Sequence, residues 1–141
     1  MLQEIQMTNR HLLPLYPSAT SPTPKDAIKL APGQYRAGQI VEESSTRGTY
    51  QALTDDANAQ MILEYDIFVD SSNQHFMGGQ GWDETGVGQF YTSAYAPGGA
   101  LCFLTADLSK DNAGTPITAA IVTALKGVII TGTVANGEMQ F

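Results

Sequence analysis

The sequence predicts a mainly β protein: a small single-domain fold of the sandwich or barrel-like kind, with one short helix near the C-terminus and an extended N-terminal arm. Three observations lead to this prediction. The length of 141 residues is typical of one domain, and an apolar fraction of 43% is enough for a core. Turn-forming residues recur about every 8 to 12 positions from Leu30 onward, as in small sandwiches and barrels. Four prolines fall within the first 24 residues.

The arm is predicted to span residues 1–29, followed by a β-rich domain of residues 30–141. Its prolines remove backbone donors and push each preceding residue toward extended geometry, so the segment suits neither a helix nor a central strand. The arm also carries four large apolar side chains, which are those of Leu12, Leu13, Leu15 and Tyr16. Two interpretations are open: these side chains cover the protein's own core, or they dock on another protein.

Six strands are predicted in the first part of the domain, at residues 34–43, 48–53, 60–70, 75–82, 87–95 and 100–105. Glycine, proline and short Asp, Asn and Ser clusters mark the turns between them. In the segment MILEYDIFVD, alternation places the odd-numbered residues from Met61 to Val69 on one face. We expect that face to be buried, with Glu64 and Asp66 on the solvent side.

One helix is predicted in the segment TPITAAIVTALKG. Thr115 is the expected cap, Pro116 suits the first helical position, and Gly127 is expected to end the helix. One face of this helix is apolar and should pack on the sheet; it consists of Ile117, Ala120, Ile121, Ala124 and Leu125. A strand in VIITGTV follows, and Asn136-Gly137 then offers a tight turn into a last short strand.

Composition narrows the possible partners. The chain has 14 Asp and Glu against 7 Lys and Arg and no basic block, which disfavours nucleic acid and anionic membranes as partners. Cys102 is the only cysteine, so an internal disulfide and a four-cysteine zinc site are excluded. No apolar run reaches the roughly 18 residues of a membrane-spanning helix, and the first residues lack a signal-peptide pattern. We therefore expect an intracellular origin.

Few side chains suggest catalysis. His11 and His75 are the only imidazoles, and His11 lies in the predicted arm, so a serine or cysteine triad would have one plausible base. Cys102 lies in an apolar segment without a basic neighbour, which favours a small core residue over a nucleophile.

Acidic pairs offer a second kind of candidate chemistry, and they are Glu64 with Asp66, Asp83 with Glu84, and Glu42 with Glu43. A glycosidase needs two carboxylates facing each other across a cleft, whereas acidic residues in turns and on a solvent-facing strand are usually just solvated. The segment DLSKDNAGT resembles the start of a calcium loop. Such a loop needs glycine at its sixth position and glutamate at its twelfth, where this chain has Asn112 and Thr118. It is better explained as a turn into the helix. We expect no enzyme activity, no cofactor and no metal.

Aromatic residues near the middle of the chain suggest an interface. Trp82 is the only tryptophan, and Phe90 and Tyr91 follow it closely. Such a group could stack on a sugar, but aromatics at strand ends more often belong to the core or to a subunit interface.

The order of several short motifs resembles the lambda-type bacteriophage head decoration proteins. These motifs are LAPGQYRAGQIVEESSTRGTYQAL, ILEYDIFVDSS, GVGQFYTSAY and ITAAIVTALKGVII, and together they cover roughly residues 28–131. The family has a glycine-bearing first strand, a Gly-Tyr strand, a strand with an acidic turn and a Gly-x-Phe strand. The matching positions here are Gly38, Gly48 to Tyr50, Asp66 to Asp70, and Gly88 to Phe90.

The resemblance implies a small β domain that binds the outside of the mature capsid, usually as trimers at three-fold and quasi-three-fold positions, and stabilises the shell. The implied partners are the major capsid protein and further copies of the chain itself, with a trimer favoured over a dimer. The implied location is the outer surface of the virion after synthesis in the host cytoplasm. The long arm and the VANGEMQF tail depart from the family pattern.

This implied role assigns tasks to two groups of residues. We expect the apolar arm residues Leu12, Leu13, Leu15 and Tyr16 to grip the capsid by strand addition, and Trp82, Phe90 and Tyr91 to form the subunit interface. Two other classes stay open: a tail-associated or carbohydrate-binding β module of a virion, and a small hydrolase that uses His75 or a carboxylate pair.

Overall fold

A closed barrel of five short strands forms the centre of the fold. The structure, a computed structural model, describes Leu12 and residues 25–77, 91–95, 102–125, 130–135 and 138–140. The strands in this part of the chain are β1 (Lys25–Leu30), β2 (Gly33–Tyr35), β3 (Ile40–Glu43), β4 (Thr49–Ala52), β5 (Met61–Leu63), β6 (Ile67–Val69), β7 (His75–Met77), β8 (Thr92–Tyr95), β9 (Cys102–Leu104), β10 (Ile130–Ala135) and β11 (Glu138–Gln140). The helix α1 spans Ala119–Ala124, and 3-10 turns span Asp56–Asn58 and Thr105–Asp107.

The barrel has the strand order β1-β4-β3-β5-β8 and closes through β1. β1 runs parallel to β4, with Leu30 opposite Tyr50, and antiparallel to β8, with Lys25 opposite Tyr95. The other neighbouring strands are antiparallel. Closure gives every barrel strand two hydrogen-bonded neighbours, so the barrel itself has no free edge.

Two three-stranded sheets accompany the barrel. One has the antiparallel order β2-β6-β7. In the other, β10 lies between β9, to which it is parallel, and β11, to which it is antiparallel. The predicted fold class is confirmed: the protein is mainly β, contains a closed barrel and has one short helix near its C-terminus among the described residues.

The boundary predicted at residue 29 is wrong. Residues 25–30 form β1, and four of them pair with β8 to close the barrel. The sequence KDAIKL carries two lysines and an aspartate, so it has a weak strand signal when taken alone. Pairing with two other barrel strands decides its structure.

The predicted strand at residues 34–43 is two strands in two different sheets. β2 pairs with β6, whereas β3 pairs with β4 and β5 in the barrel. Between them the chain turns at Gly38, whose φ of +85° lies in the left-handed region that favours glycine. The main chain of Gly38 bonds to Leu63 and Ser109, which fixes the turn against distant parts of the chain.

The predicted strand at residues 60–70 is also divided. β5 belongs to the barrel and β6 to the sheet with β2, so the chain changes sheet between Leu63 and Ile67. Burial of the odd-numbered residues is confirmed at Met61, Leu63, Ile67 and Val69, while Tyr65 is half-buried. The expected solvent side is wrong, because Ile62, Glu64 and Asp66 are also buried. The expected alternation of buried and exposed side chains fails here because both faces of this segment are covered by other parts of the protein.

Each of the remaining predicted strands overlaps a strand of the structure. β4 lies within 48–53, β10 overlaps VIITGTV, and β11 follows the Asn136-Gly137 pair. β7, β8 and β9 overlap the predictions at 75–82, 87–95 and 100–105, whose other residues lie partly outside the described ones.

The helix is shorter than predicted. Thr118 is its N-cap in place of Thr115, and Leu125 is its C-cap. Thr118 has extended backbone angles, and its hydroxyl accepts from the amide of Ile121. Ile121 and Leu125 are buried as expected, whereas Ala120 is exposed.

The buried side chains form two apolar clusters. One joins the helix to the barrel and contains Leu12, Ala37, Ile40, Ala59, Ile62, Tyr95, Phe103, Leu108, Ile121 and Leu125. The other contains Ile28, Leu30, Tyr35, Val41, Met61, Leu63, Ile67, Val69 and Ala94. Ile40 and Val41 are neighbours in β3 but belong to different clusters, as alternation requires.

Candidate functional site

Leu12 is buried in the folded domain, in a site that we call its seat; the seat is formed by an apolar cluster, the carbonyl of Glu64 and the hydroxyl of Tyr95. Its side chain is 6% exposed and belongs to the cluster that joins the helix to the barrel. Its amide donates to the carbonyl of Glu64 at 2.8 Å, and its carbonyl accepts from the Tyr95 hydroxyl at 2.6 Å. The expectation that Leu12 faces a capsid is therefore corrected, because this residue covers the protein's own core.

The Tyr95 hydroxyl stays protonated and can therefore donate its hydrogen bond. Burial raises the pKa of Tyr95, and the charge of Glu64 and the neighbouring Tyr65 add to the shift. The ring packs edge-to-face on Phe103, with 5.2 Å between the centroids. These contacts fix the hydroxyl at the carbonyl of Leu12, so the seat recognises a backbone as well as an apolar side chain.

Tyr91 is the one residue of the predicted aromatic interface that the structure describes. Its side chain is 51% exposed and directly precedes β8. The ammonium of Lys29, on β1, lies 5.2 Å from the centre of the ring. Trp82 and Phe90 lie outside the described residues, as do Leu13, Leu15 and Tyr16 of the arm.

His75 is a buried structural residue with a fixed tautomer. It is 1% exposed, and its Nε2 accepts from the amide of Leu30 at 2.9 Å. Its Nδ1 lies 3.0 Å from the carbonyl of Asn73, so Nδ1 carries the proton and donates it there. Both ring nitrogens are engaged with the main chain, which links β7 to the end of β1.

Glu42 is buried at the end of β3 and organises the loop that follows β4. Its carboxylate accepts from the amide and hydroxyl of Thr54, the side-chain amide of Gln51 and the amide of Asp55. Burial acts to raise the pKa of Glu42, but these hydrogen bonds outweigh burial and the pKa lies below its ordinary value. Glu43 is exposed and accepts from the amide of Gly48.

Glu64 and Asp66, another of the predicted acidic pairs, bind groups of the protein's own chain. Asp66 accepts from the amide of Ala37 at 2.8 Å, and Glu64 accepts from the hydroxyl of Ser93. Both side chains are buried and serve contacts between strands. Asp83 and Glu84 lie outside the described residues.

The calcium-like segment is a turn, as the sequence predicted. Asp111 accepts from the amide and hydroxyl of Thr115, and these bonds lower its pKa. Lys110 forms an ion pair of 3.3 Å with Asp56, which also accepts from the N-cap Thr118. Among the residues that the structure describes, no group of three His, Cys, Asp or Glu side chains could hold a metal ion.

One open depression of about 490 Å³ lies between the turn after β3 and the turn after β6. Lys29, Ser44, Thr46, Thr49, Ser72 and Asn73 contribute to its wall. The carboxylates beside these turns point to their own main chains: Glu43 accepts from Gly48, and Asp70 accepts from the amides of Ser72 and Gln74. The lining is mixed, because Leu30, Ala31 and Pro32 also contribute to the wall beside these polar groups and Lys29.

The buried polar groups are used to hold the fold together. In the described part of the chain, every buried side-chain nitrogen and oxygen has a hydrogen-bond partner. The same part contains no helix long and apolar enough to cross a membrane. The described surface offers an exposed aromatic ring beside a lysine and an open depression with a mixed polar and apolar lining.

Comparisons with known proteins identify no relative. Neither the models of known protein families, nor the curated proteins, nor the solved structures contain a match to this chain.

Sequence reasoning missed the seat of Leu12 and the structural roles of Glu42 and His75. Buried carboxylates and imidazoles look the same in a sequence as solvated or catalytic ones, because their partners are main-chain groups far away in the chain. One signal was present: HLLPLY is too apolar for a spacer, and one of the two interpretations placed it on the core.

Proposed function

We propose that this protein is a non-catalytic capsid decoration protein, which binds the outer surface of a mature bacteriophage head and stabilises it. The observation that carries the proposal is the order and spacing of the strand and turn motifs between residues 28 and 131, which resemble the lambda-type head decoration proteins. A mainly β domain with a closed barrel is compatible with that resemblance.

The use of the polar residues supports a binding role. Four of the candidates for acid–base chemistry, Glu42, Glu64, Asp66 and His75, each hold main-chain or hydroxyl groups of their own chain. A general base must reach the proton of a substrate within hydrogen-bond distance. These hydrogen bonds stabilise the folded domain. Such stabilisation suits a protein that must stay folded on a particle under internal pressure.

Acidity and size suit an exterior position. A net charge of −7 gives the chain no attraction for packaged DNA. Each decoration oligomer that contacts several capsid subunits makes the loss of one contact reversible, because the others keep the subunits at high effective concentration. Many weak contacts then resist the outward pressure of the DNA.

Self-association and capsid binding are assigned to different regions. The exposed Tyr91, together with Trp82 and Phe90 nearby in the sequence, forms the proposed subunit interface of a trimer. Leu13, Leu15 and Tyr16 remain the proposed capsid contacts, while Leu12 is excluded from that role by its burial in the core.

The test is a cryo-electron microscopy map of the parent particle, together with heads prepared without the protein. We expect density for three copies in contact at the three-fold and quasi-three-fold positions, and heads without the protein should release DNA at lower temperature. In vitro, Trp82→Ala should weaken trimers on the particle. A map with no copies, or with single copies that do not touch, contradicts the proposal.

A carbohydrate-binding module is the second candidate. Two features favour it: the exposed Tyr91 and the open depression lined by Lys29 and several hydroxyl and amide side chains. A glycan array distinguishes the two functions, because a decoration protein should bind no glycan. Binding that is lost in Tyr91→Ala would favour the second candidate.

A further inference from the structure

The open depression beside Lys29 differs in charge from the chain as a whole. The chain has 14 Asp and Glu against 7 Lys and Arg, yet the described residues that line the depression include Lys29 and no carboxylate. Glu43 and Asp70, the acidic residues beside its walls, accept hydrogen bonds from main-chain amides of their own turns. The wall therefore attracts an anion, although the net charge of the chain is −7.

Lys29 belongs to a row of residues that crosses β4, β1 and β8. It lies opposite Thr49 in the β1–β4 pair, and the register that places Ile28 opposite Thr92 places Lys29 opposite Tyr91. Residues opposite each other on paired strands share one face of the sheet. The ring of Tyr91 lies 5.2 Å from the ammonium of Lys29, which has no carboxylate partner in the described part of the chain. Its charge is therefore available to a ligand.

His75 holds the two walls of the depression together. Its Nε2 accepts from the amide of Leu30 at the end of β1, and its Nδ1 donates to the carbonyl of Asn73 in the turn after β6. Asp70 fixes the same turn, because its carboxylate accepts from the amide of Ser72. A site that is formed before its ligand arrives loses little conformational entropy on binding. The depression is preorganised in this sense.

The polar groups of the wall suit a ligand with hydroxyl groups. Four of these side chains have no hydrogen-bond partner within the part of the chain that the structure describes, and they are those of Thr46, Thr49, Ser72 and Asn73. Hydroxyl and amide groups both donate and accept, so they match the hydroxyls of a sugar. Pro32 adds an apolar surface for the carbon face of a sugar ring.

We propose that the depression binds a sugar acid, a molecule of sugar size with one carboxylate and several hydroxyl groups. The carboxylate pairs with the ammonium of Lys29, and the hydroxyls exchange hydrogen bonds with the side chains of the two turns. The volume of about 490 Å³ exceeds what a carboxylate alone needs and lies within the range of small-molecule sites. This inference deepens the carbohydrate-binding candidate and rests on it, but it does not rest on the capsid.

The ligand class is tested by NMR titration of the isotope-labelled full-length protein with glucuronate, glucose and acetate. Glucuronate should shift the amide resonances of Thr46, Thr49, Ser72 and Asn73. Glucose lacks the carboxylate and acetate lacks the hydroxyls, so each should bind at least about fivefold more weakly than glucuronate. Added salt should weaken the binding of glucuronate, because it screens the charge of Lys29.

Variants separate the contribution of the charge from that of the hydroxyls. Lys29→Gln should weaken glucuronate binding by about twofold to fivefold, the range for an exposed ion pair, and leave glucose binding nearly unchanged. Ser72→Ala removes a hydroxyl but no charge, so it should weaken the binding of both sugars by a similar factor of about twofold to tenfold. Lys110→Gln is the matched control and should change neither affinity, because Lys110 pairs with Asp56 and does not line the depression.

The outcomes separate this inference from the candidate on which it rests. Glucose that binds at these amides as tightly as glucuronate would overturn the sugar acid and support the carbohydrate-binding candidate. Acetate that binds as tightly as glucuronate, or glucuronate binding that Lys29→Gln leaves unchanged, would also overturn the inference. If neither sugar shifts these amides, the depression is no sugar site and the candidate keeps only Tyr91. The decoration of heads is tested separately, on the particle.

Discussion

At the scale of single residues, two glycines with the same backbone angle have very different surroundings. Gly38 and Gly48 both have a φ of +85°. A Cβ added to Gly38 would overlap the carbonyl oxygen of Asp107, whereas a Cβ on Gly48 would meet no heavy atom within 4 Å. The pair separates the cost of the backbone angle from the cost of a steric clash.

Gly38→Ala should destabilise the protein far more than Gly48→Ala. The Gly48 variant carries only the strain of the left-handed region, about 1 kcal/mol. The Gly38 variant must also move the main chain at Asp107, so we expect a loss of more than about 3 kcal/mol. Urea unfolding of both variants measures the difference, and equal losses would mean that the approach to Asp107 is not tight.

Glu42 should make the stability dependent on pH in the acidic range. Its pKa in the folded protein is below the ordinary 4.5, so its contribution is complete above that value. The contribution is lost as the pH falls below 4.5 and through the folded-state pKa, because the protonated acid accepts fewer hydrogen bonds. Unfolding free energies between pH 7 and pH 3 should show this decline.

Glu42→Gln should remove the acidic part of this decline and lower the stability at pH 7 by about 1–3 kcal/mol, since the part-buried hydrogen bonds from Thr54 and Gln51 lose a charged acceptor. Glu43→Gln is the matched control. Glu43 is the exposed neighbour with one bond to Gly48, and its change should cost less than about 0.5 kcal/mol. Equal effects at the two positions would contradict the assigned role of Glu42.

At the scale of elements, the imidazole of His75 connects the end of β1 to the turn between β6 and β7. His75 connects the amide of Leu30 to the turn at Asn73, where β6 and β7 meet. This contact joins the sheet of β2, β6 and β7 to the barrel strand β1. The turn contains Asn73 itself at a φ of +64°, a conformation that asparagine tolerates better than most residues.

His75→Phe should loosen this junction. The phenyl ring fills a similar volume but offers no acceptor, so the buried amide of Leu30 is left unpaired at a cost of about 1–3 kcal/mol. Hydrogen exchange of the Leu30 amide should accelerate more than that of Ile62 in β5, which bonds only within the barrel. Uniform acceleration of both amides would show global destabilisation without a local junction.

Local signals predicted most elements but not their partners. The alternation in MILEYDIFVD and the apolar face around Ile121 are short-range patterns, and the structure contains strands and a helix there. The break between β5 and β6 and the burial of Glu64 depend on strands far away in the chain, so no local pattern contains them. β1 was missed for the same reason, since its residues become a strand only between β4 and β8.

The candidate site was less predictable than the fold. The apolar residues of the arm were visible in the sequence, but the choice between core and partner needed the position of Leu12. Its seat is built by groups from β8 and from the connection between β5 and β6, which meet only after the barrel closes. A main-chain carbonyl has no sequence signature at all.

At the scale of the whole molecule, the N-terminal region contributes to stability at two separate points. One is Leu12 in its seat, and the other is β1, which closes the barrel. A deletion series distinguishes their contributions. Removal of residues 1–11 keeps both points, removal of 1–24 loses only the first, and removal of 1–30 loses both.

The first deletion should leave the unfolding free energy within about 0.5 kcal/mol of the full chain. The second should cost about 2–5 kcal/mol, the range for emptying a leucine-sized space in a core, and the loss of two hydrogen bonds places it toward the upper end. The third should abolish cooperative unfolding, because β4 and β8 would lose the strand between them and expose two barrel edges. Circular dichroism during urea titration measures all three. A third deletion that unfolds as cooperatively as the first would mean that β1 is an appendage, and the barrel would then have to be stable as an open sheet of four strands.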